Sequence, residues 1–576
     1  MHPPFAAKPL AAALAAPVAR KPLAHAQAAS RAAVQVAMQL PDDARALFGI
    51  PPGVVETALN APPNPFVQAV ELDRAGKHKE AERIYLELLN EHFENTVLHA
   101  ALGMNYSVNQ KSGLAHRLLK FAADRADRLA EDFNALGVDL DPSALANRDD
   151  FFTLKRSEIL NALGTCYKNE NRTDEARDYF EHAQALVPPN ADIQNNLGTL
   201  LINEGSPQTA LDIFDYAISL KPSHSQAHWN RSLALLELGR WAEGWPEYDW
   251  GITANVRGDR NYHLPKHAPI PRWEGERGKR LVVYGEQGIG DELLFFSTLP
   301  QLLADSELVV VDCHKKLHRL LSNSFPGTLF YPTREDEVIH WGILPDGTPR
   351  YHFNAKAAAG SLPRYYRASD AAFPGTPFLK PTPDAAARWA EKLATLPRRP
   401  NIGISWIGGH KRTRREVRSI PLAQLEPILR APVNWISLQY TPCEDEIASF
   451  TAKTGIKIHH WPDAVASPDY NEAAGLVAGL DLVITVATSI LHLSGGMGVP
   501  TWVLTASRAA WREYVTGAWD DEGRWHTGEG DGNPWYKSLT MFRQQPGSVD
   551  WQPVIEEVAA ALTDTLPAQL AQESAA

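Results

Sequence analysis

The sequence predicts an α-solenoid of short helical repeats followed by two α/β halves, each built on a parallel sheet. Three observations carry this. A 34-residue period aligns "NALGTCY" with "NNLGTLL", so that Gly164 and Gly198 share one repeat position. From about Lys279 the chain alternates short β-branched runs with helical stretches, which is the pattern of βαβ units. The Pro-rich stretch 379–401 then divides that region into two parts.

The period extends beyond the glycines. Ala176 matches Ala210, Phe180 matches Phe214, Ala183 matches Ala217, and Pro188 matches Pro222. Small residues at a close helix crossing, an aromatic filling the gap and a proline ending the second helix are the mechanics of a tetratricopeptide repeat. Upstream, Gly103, Ala115 and Ala122 keep the pattern, as do Gly76, Ala81 and Tyr85, and a capping repeat is expected over about 223–252. The stretch 124–156 is out of phase and is expected to hold a long helix and a loop. The organisation read from the chain is a mobile tail over 1–62, a solenoid over 63–252, a linker over 253–277, and Rossmann-like halves over 278–395 and 396–576, the second ending in a C-terminal helix.

Composition narrows the function. A chain of 576 residues with 44% hydrophobic residues is long enough for about three or four domains. A net charge of −12 argues against a nucleic-acid partner. Three cysteines without metal-ligand spacing point to a reducing compartment, no metal site and no disulfide framework. Lys8, Pro17, Arg20 and Lys21 interrupt the Ala-rich start before it reaches signal-peptide or membrane-span length, so a cytoplasmic protein is expected.

A solenoid leaves a groove suited to an extended peptide or another protein. Asn161 and Asn195 share one repeat position, and Asn196 and Asn230 share the next. Their amides can pair with a partner's backbone, or they can tie adjacent repeats together.

In "LVVYGEQGIGDELLFF", residues 281–296, a strand runs into a glycine loop and then a helix starting near Asp291. A phosphate would suit that setting, but Asp291 occupies the helix start with like charge, and the third glycine of a dinucleotide fingerprint is Leu293. Asp291 is therefore read as a base facing a cleft or as a helix cap, with Glu286 the next acid in the loop. In the second half, "DLVITVATSILHLSGGMG" ends a buried strand near Thr485 to Thr488 and starts a helix near Ser489, a spot suited to a diphosphate. The basic segment 408–419, with Lys411, Arg412 and Arg418, follows the strand that ends at Ser405, at the carboxyl end of a sheet.

Two such halves facing a cleft is the plan of the GT-B glycosyltransferases. The segments "PIPRWEGERGKRLVVYGEQGIGDELLFFSTLPQL", "GISWIGGH", "RSIPLAQL", "WISLQY", "AGLDLVITVATSILHLSGGMGVPTWVL" and "NPWYKSLTMFRQ" together resemble the ADP-heptosyltransferase-like glycosyltransferases fused behind tetratricopeptide repeats. In length and layout the chain is similar to bacterial flagellin glycosyltransferases. The resemblance implies an inverting, metal-independent enzyme without a cofactor, using a nucleotide-sugar as donor. It implies Asp291 as general base, Thr488, Ser489 and His492 near the donor phosphates, and Gln439 and Tyr440 at the base; Lys411, Arg412 and Arg418, with Ser405 ahead of them, are read from their place at the sheet's carboxyl end as donor-binding residues that neutralise a leaving phosphate, or else as a solvated basic loop. It further implies an acceptor protein, flagellin, held by the repeats. A lipid-linked or polysaccharide acceptor and a non-catalytic scaffold are the alternatives. Ala487 stands where the family commonly has an acid, which argues against heptose in particular.

Overall fold

The computed structural model describes residues 64–109, 111–138, 148–260, 270–336, 350–409, 415–507, 510–513, 517–519, 525–527, 533–545 and 548–573. The expected tail, 1–62, lies outside them. The chain divides into two compact units, Met1–Pro188 and Pro189–Ala576.

In the first unit, Pro65–Arg74 pairs with His78–Glu91, Thr96–Val108 with Ser112–Asp124, and Arg148–Asn169 with Thr173–Leu186. The repeat-position residues make these pairs close. A Cβ on Gly103 would lie 2.8 Å from Leu119, and one on Gly164 would lie 2.7 Å from Phe180. Ala115, Ala122, Ala176 and Ala183 are fully buried at the same crossings. The described residues of the out-of-phase stretch lie either side of 139–147. The stretch holds a 3₁₀ turn, Ala126–Arg128, and a short helix, Leu129–Ala135, and its last residues extend the next repeat helix, which starts at Arg148. Asp132 accepts from the Thr96 N–H at 2.7 Å, so the short helix caps the start of a repeat helix.

The second unit begins with Ala191–Asn203 and Pro207–Leu220, where Gly198 meets Phe214 as Gly164 meets Phe180. Ser225–Glu237, Trp241–Tyr248 and Trp250–Thr253 follow as the capping repeat. A parallel sheet comes next, formed by β1 (Arg280–Tyr284), β2 (Leu308–Asp312), β3 (Leu329–Tyr331) and β4 (Ala355–Ala358) in the order β3-β2-β1-β4. In the other half, β5 (Asn401–Ser405), β6 (Asn434–Ser437), β7 (Ile458–His460), β8 (Leu482–Val486) and β9 (Thr501–Thr505) are followed by the hairpin β10 (Gly517–Trp519) and β11 (Trp525–Thr527). With β12 (Leu539–Arg543) they form a second parallel sheet, in the order β12-β9-β8-β5-β6-β7. The strands β1, β2 and β8 are buried nearly end to end, which explains their β-branched runs. Each sheet reverses strand order once, between β1 and β4 and between β5 and β8, and the carboxyl ends at those points are where open α/β sheets take ligands.

Two boundaries differ from the sequence reading. The described residues of the segment expected to be a linker are built into the first half: Arg257 and Trp273 are buried, and Arg272 bridges to Lys356 of β4. The helix Pro383–Ala394, expected in the first half, packs on Tyr470–Val477 of the second, with Gly475 pressed against Ala385. Phe378 N–H also donates to Gly496 O at 2.8 Å. The second half therefore begins near residue 378. Its C-terminal helix, Gln552–Glu573, buries Val554, Ile555, Val558 and Leu562 in the same core as Ile402 and Trp435.

Among the described residues no helix is long and apolar enough to cross a membrane, and no three His, Cys, Asp or Glu gather as a metal site would require.

Candidate functional site

The glycine loop leaves β1 at its carboxyl end and enters the helix Ile289–Phe296. The helix starts two residues before Asp291, which is its third residue rather than its cap. From there Asp291 Oδ2 accepts from the Gly288 N–H at 3.1 Å, one half of a capping box, since Gly288 has no side chain to complete it. Asp291 Oδ1 forms an ion pair with Arg512 Nε, from a short turn of the second half. The side chain keeps 20% of its surface exposed.

Glu286 is not free for chemistry. It is 4% exposed, takes Arg257 Nε on both oxygens at 3.0 and 3.1 Å, and accepts from the Gly360 N–H at 3.0 Å. Glu286 and Gly360 belong to the loops after β1 and β4, so this ion pair fills the first sheet's switch point. The acid expected as an alternative base is a structural one.

Glu292, which the sequence reading passed over, is fully buried beneath the loop. It accepts from Arg334 Nη1 at 2.6 Å and from the His314 N–H at 2.8 Å. Burial nevertheless pushes its pKa up to about 7, against the Arg334 charge. A Cβ on Gly285 would collide with this carboxyl, which is why the loop opens on glycine. Gln287 is the loop's one strained residue, with φ +61° on a non-glycine, a conformation that costs on the order of 1 kcal/mol and persists only where neighbours hold it.

On the second sheet four of the expected donor residues, Arg418, Thr488, Ser489 and His492, lie on the segments that follow β5 and β8, on either side of its switch point. Thr488 caps the helix Ser489–Met497, its Oγ1 accepting from the Ile490 N–H at 3.1 Å. Ser489 Oγ accepts from Tyr470 at 3.0 Å. A Cβ on Gly408 would lie 2.8 Å from Arg418 O and 3.4 Å from Ala487 O, so Gly408 is pressed between Arg418 and the β8 loop. Arg418 Nε is buried with no hydrogen-bond partner among the described residues. The Arg415 and Arg418 charges act on Tyr440, whose phenol burial holds above its ordinary pKa. Arg418, Arg512 and Arg543 all act on buried Glu513, whose pKa burial raises. Lys411 and Arg412 lie outside the described residues.

Two expected donor contacts are differently employed. Gln439 is completely buried, its Oε1 accepting from the Ile407 N–H at 3.1 Å and its Nε2 donating to Thr441 at 2.8 Å. It fixes the β5 and β6 loops and has no surface for a nucleotide base. Ser405, 2% exposed, points to Gln439 at 3.4 Å.

The two helix starts meet. A Cβ on Gly290 would lie 2.8 Å from His492 Cδ2 and 3.3 Å from Ser489 Cα, so the helix start that carries Asp291 is closed against the one that carries the expected donor residues Ser489 and His492. His492 is 6% exposed and its Nδ1 lies 3.2 Å from the Tyr536 hydroxyl. Burial drives its pKa down to about 4. At neutral pH it is therefore a neutral hydrogen-bonding group and not the cation a phosphate would select.

In the repeats, Asn195 and Asn230 are buried, and Asn230 Nδ2 donates to Asn195 Oδ1 at 2.8 Å. That bond ties adjacent repeats together, the second of the two roles open to them. Asn196 is half-buried in the same unit, and Asn161, also half-buried, belongs to the first unit. A cavity of about 260 Å³ lies beside the capping repeat, lined by Asp249, Trp250, Trp273, Tyr284, Lys356 and Arg364 among others, and none of the expected site residues lines it.

Arg512, Arg257 and Glu292 were missed by sequence reasoning. The one sequence signal for Arg512 and Glu292 is a charge set among apolar residues, as in "AAWREY" and "DELLFF".

Comparison with known proteins supports the repeats. The family model for the tetratricopeptide repeat matches residues 161–225 and 195–248. The chain is 29% identical over 345 residues to Protein FlbA of Caulobacter vibrioides, a match covering 58% of this chain and 54% of FlbA, so it spans about half the length of that curated relative. Among solved structures, MamA is similar at 20% identity, over 33% of this chain and 94% of that one, with a TM-score of 0.22. PilF of Pseudomonas aeruginosa is similar at 15% identity, over 42% and 83%, with a TM-score of 0.25.

Proposed function

We propose that this chain is a glycosyltransferase that moves a sugar from a nucleotide-sugar to a Ser or Thr hydroxyl of a protein recruited by its repeats. Flagellin is the acceptor that the sequence resemblance implies. One observation carries the reading: an acid-bearing helix start from one parallel sheet, paired with Arg512, meets a hydroxyl-bearing helix start from another.

In this reading the acceptor oxygen attacks the anomeric carbon, the bond to the nucleotide phosphate breaks, and the electron pair leaves with that phosphate. Asp291 takes the hydroxyl proton. Arg418, with its unpaired Nε, and Arg512 offset the charge that develops on the leaving group. Thr488 and Ser489 bring hydroxyls and the first free N–H groups of their helix to the same place. Because Gly290 touches Ser489, the halves must part to admit the donor, a hinge motion common in enzymes that exclude water.

The test is intact-mass analysis of abundant partner proteins from cells containing the chain, lacking it, or containing Asp291→Asn. A sugar-sized mass shift should appear only with the unmodified chain. The Asn variant keeps an oxygen for the Gly288 N–H, so it should fold while turnover falls by about 10²–10⁴. Partner masses that are the same in all three cells would exclude a protein acceptor.

A further inference from the structure

We propose that Tyr248, the last residue of the capping-repeat helix Trp241–Tyr248, is a positioning residue for Asp291, acting through Gln287. The proposal rests on the glycosyltransferase reading of Asp291. Gln287 Nε2 donates to the Tyr248 hydroxyl at 2.8 Å. The other end of the same amide, Oε1, accepts from Arg512 Nη2 at 3.1 Å. Arg512 Nε in turn pairs with Asp291 Oδ1. One amide thus joins the last repeat, the loop of the first half and the arginine of the second.

The setting supports a brace over incidental contact. Gln287 holds φ +61°, which a non-glycine keeps only when its surroundings fix it. Its carbonyl accepts from Arg334 Nη2 at 2.5 Å, so both its backbone and its side chain are held. Tyr248 is fully buried and is itself fixed by Arg257, which lies 4.5 Å from its ring and donates to its carbonyl at 3.0 Å. Its ring also packs against Trp511, next to Arg512, at 5.9 Å. A repeat helix of this kind would normally only end a solenoid. Here it sets the geometry of an acid and its counter-ion, and small misplacements of such a group are costly to rate.

Tyr248→Phe removes one hydroxyl and leaves the packing. The full chain, this variant, Gln287→Ala and the double variant are compared by hydrogen exchange over 281–296 and by nucleotide release from a panel of UDP-, GDP-, ADP- and CMP-activated sugars. Expected for Tyr248→Phe are faster exchange confined to 285–291 and a kcat lowered about 3- to 10-fold, the worth of one hydrogen bond, with donor KM and melting temperature unchanged. The double variant should be no worse than the worse single one, since both act through one amide. Unchanged exchange in Tyr248→Phe, or losses that add in the double variant, would overturn the proposal. If the unmodified chain releases no nucleotide from any of the panel, that result counts against the glycosyltransferase reading, and the exchange comparison still decides the brace.

Discussion

His492 and Glu292 flank the same helix start and answer to pH in opposite senses. Burial holds the folded-state pKa of His492 near 4, whereas the unfolded chain takes up that proton near 6.5. Its contribution to stability is therefore complete above about pH 6.5 and is lost as pH falls toward 4, by on the order of 3 kcal/mol. Glu292, raised to about 7 by burial, ionises near 4.5 when unfolded, so its contribution is complete below about 4.5 and is lost as pH rises to 7. Between about 4.5 and 6.5 the two slopes oppose one another, and each variant should unmask the other. His492→Gln should lose stability more steeply as pH rises from 5 to 7 than the unmodified chain does. Glu292→Gln, whose amide oxygen can still accept from the His314 N–H, should gain stability over the same range. Urea unfolding at pH 5, 6 and 7 checks both, and identical profiles for all three proteins would remove these two groups from the pH response.

At the scale of elements, glycines mark where two pieces of chain are pressed together, and the consequence depends on what they press against. Gly198 rests on the Phe214 ring and Gly285 on the Glu292 carboxyl. Either change to Ala overpacks its site, at about 1–3 kcal/mol. Gly285→Ala should also cost activity, because it displaces a carboxyl paired with Arg334, and Arg334 holds the Gln287 carbonyl. Gly198→Ala should lower the melting temperature and leave nucleotide turnover unchanged. Equal turnover in the two variants would show that the loop does not transmit the strain. The same contrast explains what was legible in the sequence. Gly164 and Gly198, Phe180 and Phe214 recur at a fixed interval because each repeat solves one packing problem, so periodicity revealed them before any coordinates did. Thr488 and Ser489 were legible because a buried strand running into a helix start has a local signature. Arg512 was not, since it meets Asp291 from 221 positions further along the chain. Gln439 misled because the end of a strand beside a ligand crevice holds both lining and packing residues, and only burial distinguishes them.

At the scale of the whole molecule, the helical repeats and the α/β region do not separate where the sequence changes character. The boundary between compact units falls at Pro188, inside the repeats, and the last repeats belong to the same unit as both sheets. The capping repeat is attached by its aromatic residues. Trp241 donates to Asp370 at 2.7 Å and packs on Phe373, with ring centroids 5.0 Å apart. Trp245 donates to Arg367 O at 2.8 Å and meets Trp511 and Trp535 edge-on at 5.5 and 6.2 Å. The three aromatics of the helix Trp241–Tyr248, namely Trp241, Trp245 and Tyr248, are at most 2% exposed, and each buries about 150–250 Å². At roughly 25 cal/mol per Å² their burial contributes on the order of 10 kcal/mol, shared between packing inside the repeat, as between Trp241 and Trp245, and packing on the α/β region. Arg257 adds a charge with no exposed side-chain surface, and removing it would leave Glu286 buried and unpaired. A fragment 278–576 should therefore be recovered aggregated or bind a hydrophobic dye strongly, because it exposes Phe373, Trp511 and Trp535 together. A fragment 189–576, cut at the unit boundary, should unfold in one cooperative transition and retain donor binding. Calorimetry and dye binding on the two fragments distinguish the cases. A soluble, cooperatively folding 278–576 would mean that the capping repeat rests on the α/β region without stabilising it.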